Sequence, residues 1–450
     1  MDKRKSNYIL QKDTKLIAPG QHLLYFPIVV DSVIGDTVVD IDGKSYIDFL
    51  SSASSLNLGG SNPTINEVIK KQIEKCTQYC TCYSLNQPMV EYAERLVSIY
   101  PGKTPSKILF TLCGSSAIDM AFNFVKAYTK RREIISFKNS FHGNTYASSN
   151  LSDMDRGDFP ILSNVHLFNY FYEDDLEVED NNYLTEIEEA FKKDLNPEDV
   201  AAVFIEPIQG DGGLRPAKKE FIRQLYFLCK KYGILFISDE VQQGFFRSGY
   251  WFSIEHYDVI PDGIVMGKTL GGGLPLGAFM ARSEIMESLS AELCASTIAG
   301  YQLSCVAGAI QFDYMCKEEF RRMLDYKTNI FLALARKLVC KNLWKFKLNL
   351  VGLGFSYGIQ VFDKENNKDQ FSAFKIAFCC YERGLLLITV AGNTLRLQPP
   401  FSISIEHLIK GFELLEGAIC DVDSGYVTDE MLHFYKRRYP ESKDNTRENR

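Results

Sequence analysis

Long apolar runs are missing from this chain. Across its 450 residues no stretch approaches the roughly 18 consecutive apolar side chains that a membrane-crossing helix needs. The opening MDKRKSNYILQKD is basic, but no continuous apolar segment follows it, so no secretory leader and a cytoplasmic location are expected. A surplus of positive charge is missing too. The 50 Lys and Arg stand against 57 Asp and Glu, a net charge of −7, which argues against nucleic acid or an anionic membrane as partner. Paired cysteine motifs are also absent. The 12 cysteines are scattered, with Cys76, Cys80 and Cys82 the densest group and Cys379 and Cys380 adjacent. His22, His142, His166, His256, His407 and His433 lie far apart, so no structural metal site is expected, and the thiols are expected reduced. No internal repeat or low-complexity tract is visible.

What is present is globular. A hydrophobic fraction of 46% is enough for a sizeable core. VIGDTVVDIDGKSYIDFL (33–50) alternates apolar and polar residues around Asp42-Gly43 and reads as a hairpin. Short apolar runs then alternate with helix-like stretches at 88–99, 115–130 and 219–232. The runs are KILFTL (107–112), EIISF (133–137), AAVFIE (201–206), ILFISDE (234–240) and GIVMG (263–267). Within 115–130, Ala117, Met120, Ala121, Phe124, Val125 and Tyr128 recur at helical spacing. Such alternation predicts an α/β fold with a mostly parallel sheet covered by helices on both faces. Beyond about 310 the pattern loosens: a helix, strand candidates at 348–362 and 385–398, and helices at 370–384 and 405–420. The expected division is 1–60 as the N-terminal part of a small α+β domain, 61–309 as the large domain, and 310–436 as the rest of the small one. Residues 437–450, rich in charge, are expected to form a flexible tail.

DGIVMGKTLGGGLPLG (262–277) has the look of a phosphate loop, but the spacing from Gly263 to Gly267 is one residue short of G-x-x-x-x-G-K-[ST]. Its glycines follow the lysine rather than precede it. Ligands of open parallel sheets bind beyond the carboxyl ends of the strands. Five such ends carry polar or aromatic groups: Gly114-Ser115, Phe141-His142-Gly143, Glu206 with Asp211, Asp239, and Lys268. Each alone has an ordinary use, as helix cap, turn residue or solvated strand end. Together they suit an aromatic aldehyde phosphate. The phosphate would rest on the helix N-terminus at Gly114-Ser115, Asp239 would pair with a protonated ring nitrogen, and Lys268 would bond the aldehyde.

The stretches CGSSAIDMAFNFVKAYT, SFHGNTYAS, IEPIQGDGG, FISDEVQQGFFRSG and MGKTLGGGLPLGAFMA resemble the class III aminotransferases, enzymes of pyridoxal phosphate fold type I. The resemblance runs from about residue 25 to 420. It implies pyridoxal 5′-phosphate as cofactor, an amino acid as substrate, and a homodimer, with tetramers conceivable, whose active sites lie at the subunit interface. It implies Lys268 as the cofactor-bonding lysine and Asp239 as the partner of the ring nitrogen. Gln242 would lie near the ring hydroxyl, with Val241 on one ring face and Phe141, beside His142, on the other. Gly114 and Ser115 would hold the phosphate, with Thr297 supplied by the neighbouring subunit. Cys113, Ser116, Phe246 and Tyr301-Gln302 depart from the family's usual residues and bear on substrate identity.

The fate of the Cα proton divides the possible reactions. Transamination needs one acid–base group, whereas racemisation needs a second on the opposite face. Asp211 stands in IQGDGG where many aminotransferases of this class have Glu, and the racemases of the class have Asp. LLLITVAGNTLRLQPP, FLSSASSLNLGG, Tyr79 and Tyr83 look closer to bacterial isoleucine 2-epimerases, with the tyrosines near the substrate entrance. Arg396 suits a substrate carboxylate in either reaction, and Glu206 is a further candidate substrate contact. The preferred expectation is racemisation or 2-epimerisation of an aliphatic α-amino acid by Lys268 and Asp211. Amino transfer to a 2-oxo acid and a non-catalytic binding homologue stay as alternatives.

Overall fold

The computed structural model describes residues 4–153, 162–177, 181–341, 343–428 and 431–432, so the charged tail at 437–450 and His433 lie outside the described residues. The five apolar runs form strands of one sheet: Ser106–Thr111, Glu133–Phe137, Val200–Ile205, Leu235–Asp239 and Gly263–Met266. Two further strands join them, Val165–Phe168 and Gly277–Arg282. In space the order is Ser106–Thr111, Gly277–Arg282, Gly263–Met266, Leu235–Asp239, Val200–Ile205, Glu133–Phe137, Val165–Phe168. Neighbours run parallel except Gly277–Arg282, which is antiparallel to both of its partners. Every residue of Val200–Ile205 is buried, as expected of a strand covered on both faces. A Cβ on Gly277 would stand 2.1 Å from the Cys113 carbonyl oxygen, so only glycine lets this strand pass the start of the helix Gly114–Thr129.

The early hairpin is present as Thr37–Asp40 and Ser45–Asp48, with Val30–Ile34 added as a third strand. It does return to the C-terminal region, where Leu385–Leu386 pairs parallel to Ser45–Asp48. The candidate at 348–362 is a hairpin, Lys347–Leu353 with Ser356–Phe362. The one at 385–398 breaks into Leu385–Leu386, Ile388–Val390 and Thr394–Leu397. The helices expected at 370–384 and 405–420 are Gln370–Arg383 and Ile405–Asp423. Residues 309 and 310 both fall inside the helix Gln302–Met315, which is buried on most of its surface and so shows no polar stripe in sequence.

Two local features tie the N-terminal segment to the rest. Ser51–Ser54 make a left-handed turn, with φ of 44°, 50°, 56° and 66°. Arg247, fully buried, donates to the carbonyls of Phe355 (3.2 Å) and Pro399 (2.7 Å), to Ser51 Oγ (3.1 Å) and to Asn57. One guanidinium thus joins three distant stretches of chain.

Candidate active site

The strand ends converge on a cavity of about 350 Å³ lined by Gly114, Ser115, Phe141, His142, Glu206, Asp239, Val241, Gln242 and Lys268. One end of it is the start of the helix Gly114–Thr129, whose first N–H groups have no partner within the helix. Ser116 Oγ accepts from the Cys113 N–H at 3.2 Å, so Cys113 and Ser116, two of the departures noted above, shape the helix cap. A Cβ on Gly114 would lie 2.7 Å from Val241 Cγ1. That close packing keeps the backbone open toward the cavity.

Asp239 ends its strand 5% exposed. Its Oδ1 accepts from the Val241 N–H at 3.0 Å, and its Oδ2 lies 2.6 Å from His142 Nδ1. Burial opposes protonation of His142, but the hydrogen bond and charge of Asp239 prevail and raise its pKa. His142 therefore acts as the partner that holds Asp239. Gln242 is buried against Gln243, whose amide donates to Gln242 Oε1 at 3.2 Å. Lys268 follows Gly263–Met266 after the single residue Gly267, at a left-handed φ of 47°. Burial, and then the charge of Arg396, lower its pKa to about 8.

Glu206 was expected as a substrate contact. It lines the cavity, but its two oxygens are engaged by backbone: Oε1 accepts from Phe141 N–H at 2.9 Å and Oε2 from Gly210 N–H at 3.1 Å. Its pKa is pushed up to about 7, chiefly by burial; His142 opposes this and Asp239 adds to it.

Phe141 also borders a second cavity, of about 440 Å³, that holds Asp211 and Arg396 with Tyr25, Phe374, Ile388 and Val390. Arg396 is 2% exposed, and its Nε donates to Gln398 Oε1 at 2.5 Å. The same oxygen accepts from Ser54 Oγ at 2.9 Å, so the left-handed turn helps to aim Arg396. Nη1 approaches Asp211 Oδ1 only to 3.6 Å, and the Asp211 side chain is 43% exposed. Asp211 is thus loosely paired and open to water.

Thr297, Tyr79 and Tyr83 do not line either cavity of their own chain. All three are exposed, Tyr79 at 65% and Tyr83 at 89%. The Thr297 carbonyl accepts from Thr81 N–H at 3.0 Å, which holds the stretch around 79–83 beside Thr297 on one surface. Among the described residues no group of three His, Cys, Asp or Glu could hold a metal, and no helix is long and apolar enough to cross a membrane.

The residues present fit pyridoxal phosphate. A helix N-terminus packed too tightly for a Cβ faces one end, a lysine of lowered pKa lies within reach, and a buried carboxylate is held by histidine. Sequence reasoning missed Tyr25, Phe374, Ile388 and Val390 in the second cavity. Their only signal is apolarity, shared with any core residue.

A sequence profile described as Aminotransferase class-III matches residues 18–419. An isoleucine 2-epimerase of Lentilactobacillus buchneri is 33% identical over 438 residues, 94% of this chain and 97% of its own. A leucine/methionine racemase of Thermococcus litoralis is 34% identical, covering 95% and 98%. A probable 4-aminobutyrate aminotransferase of Bacillus subtilis is 31% identical, covering 86% and 91%. Among solved structures, a Bacillus anthracis aminotransferase superposes with a TM-score of 0.84 at 26% identity, covering 93% of this chain and 99% of its own.

Proposed function

This chain belongs to the class-III aminotransferase family of pyridoxal phosphate-dependent enzymes, and within it we propose that it racemises or 2-epimerises aliphatic α-amino acids. The observation that carries the reading is Asp211. It borders the Arg396 cavity while Lys268 lines the other, Phe141 is common to both, and Asp211 has only a 3.6 Å contact to occupy it. The likeness to an epimerase and a racemase points the same way, although an aminotransferase is nearly as similar.

Gly114 and Ser115 would hold the cofactor phosphate, Asp239 the ring nitrogen, Gln242 the ring hydroxyl, and Val241 and Phe141 would flank the ring. When bound, pyridoxal phosphate supplies an electron sink that eases loss of the Cα proton. Lys268, as neutral amine, takes that proton from one face. Asp211 delivers one to Cα from the other, and the configuration inverts. Lys268 then carries an extra proton and Asp211 has given one up, the pairing that runs the reverse direction; the proton on Lys268 leaves with the product's amino group, and the exposed Asp211 takes a new one from water. Arg396 binds the substrate carboxylate, and Tyr25, Phe374, Ile388 and Val390 favour an aliphatic side chain beside it.

A homodimer completes the site in this reading. The surface carrying Thr297, Tyr79 and Tyr83 is delivered to the neighbour, Thr297 to the phosphate and the tyrosines to the substrate entrance.

The test is chiral chromatography of L-isoleucine, L-valine and L-leucine with cofactor-loaded enzyme, with and without a 2-oxo acid. D-configured products without oxo acid, reduced about 10²–10⁴-fold in Asp211→Ala, are expected. Turnover only with oxo acid makes the protein an aminotransferase and leaves Asp211 a structural role.

A further inference from the structure

Glu206 sits between the two halves of the site and touches both through backbone alone. Oε1 accepts from Phe141, on the loop after Glu133–Phe137, and Oε2 from Gly210, in the turn that carries Asp211. That turn closes on itself, with Gly213 and Leu214 N–H donating to the Gly210 carbonyl. Fixing Gly210 therefore fixes where Asp211 begins. The side chain is 5% exposed, so water cannot replace a lost bond at either end.

We propose that Glu206 is a positioning residue, one carboxylate that sets the distance between the Phe141 ring and the Asp211 turn. A carboxylate accepts on both oxygens, whereas a carboxamide of the same shape accepts on one and sets an NH₂ against the other backbone N–H. Glu206→Gln therefore breaks one end of the brace without emptying its volume, and the side chain, no longer held from both sides, loosens its grip on the other end too. The part that concerns Asp211 as an acid rests on the two-face reading above; the brace itself does not.

Two measurements on the cofactor-loaded full-length enzyme test it. In backbone amide exchange, Glu206→Gln is expected to speed exchange about tenfold in both 139–143 and 208–213, with the segment around Lys268 unchanged. Acceleration in neither segment, or in only one, overturns the brace. In D₂O with L-isoleucine, Lys268 can lose the Cα proton to solvent and return a deuteron to the same face, which exchanges with retention. Delivery of a deuteron from Asp211 gives inversion. Inversion is expected to fall on the order of 10- to 100-fold, while exchange with retention falls less than about threefold and KM holds within about twofold. An equal fall in both rates assigns Glu206 to the fold alone, and a raised KM with an unchanged ratio assigns it to the substrate; either overturns the proposal. If Glu206→Gln does not fold, Glu206→Asp, which keeps the charge but shortens the reach, is read by the same criteria. If the wild type inverts nothing, the two-face reading fails and amide exchange alone decides on the brace.

Discussion

Lys268 shows how much one residue's surroundings decide. Its amine has a pKa near 8 rather than 10.5 because it is buried, and then because Arg396 lies near. The neutral amine is the form that attacks an aldehyde, so cofactor uptake by the apoenzyme is expected to accelerate as pH rises through about 8. Arg396→Met removes a positive neighbour and moves that midpoint upward; stopped-flow absorbance reads both. The same displacement affects stability. Between about 8 and 10.5 the unfolded chain holds a proton on this lysine that the folded chain lacks, so this contribution to apoenzyme stability increases with pH across that window. His142 offers a second case. His142→Leu leaves Asp239 Oδ2 without its 2.6 Å partner. Losing a charge-assisted bond of about 1.5–3 kcal/mol is expected to weaken cofactor binding roughly 10- to 100-fold, as measured by equilibrium dialysis.

At the scale of elements, the Ser51–Ser54 turn is the unusual piece. A left-handed residue other than glycine costs about 1–2 kcal/mol, and four follow one another here. Ser52 is exposed, so Ser52→Gly is expected to raise the midpoint of urea unfolding, by about 1 kcal/mol of stability. This turn was not legible in sequence, because its conformation is imposed by bonds to Gln398, 347 positions away for Ser51. The strands that carry the chemistry were legible, since each apolar run ends where its polar residue begins. Val165–Phe168 was missed because it is four residues long and mostly half-buried, and Gly277–Arg282 because small residues dominate its start. The strand ends gave Lys268, Asp239 and the helix start at Gly114-Ser115, which line one cavity. They did not give the pairing of His142 with Asp239 or the bracing by Glu206, which depend on how separate loops meet. Tyr79 and Tyr83 show the converse: both are exposed and line neither cavity of their own chain, so the role proposed for them rests on a second chain.

The whole molecule raises that second chain first. Sedimentation is expected to show a homodimer, and Thr297→Ala to raise the cofactor dissociation constant while the single chain's own cavity stays intact. Arg247 concerns the single chain. Arg247→Met strands the buried acceptors Ser51, Asn57, Phe355 and Pro399 and is expected to lower stability by at least about 1–3 kcal/mol, read by chemical unfolding. The clamp also imposes a delay during synthesis. Its acceptors at Ser51 and Asn57 are made first, but Pro399 and the Gln398 carbonyl that receives the Ser51 hydroxyl do not exist until about 347 residues later. At ~5–20 residues per second that interval is roughly 17–70 s. Throughout it, the first strands stand without the neighbours that later cover them, which makes the nascent N-terminal segment the part of this protein most in need of a chaperone.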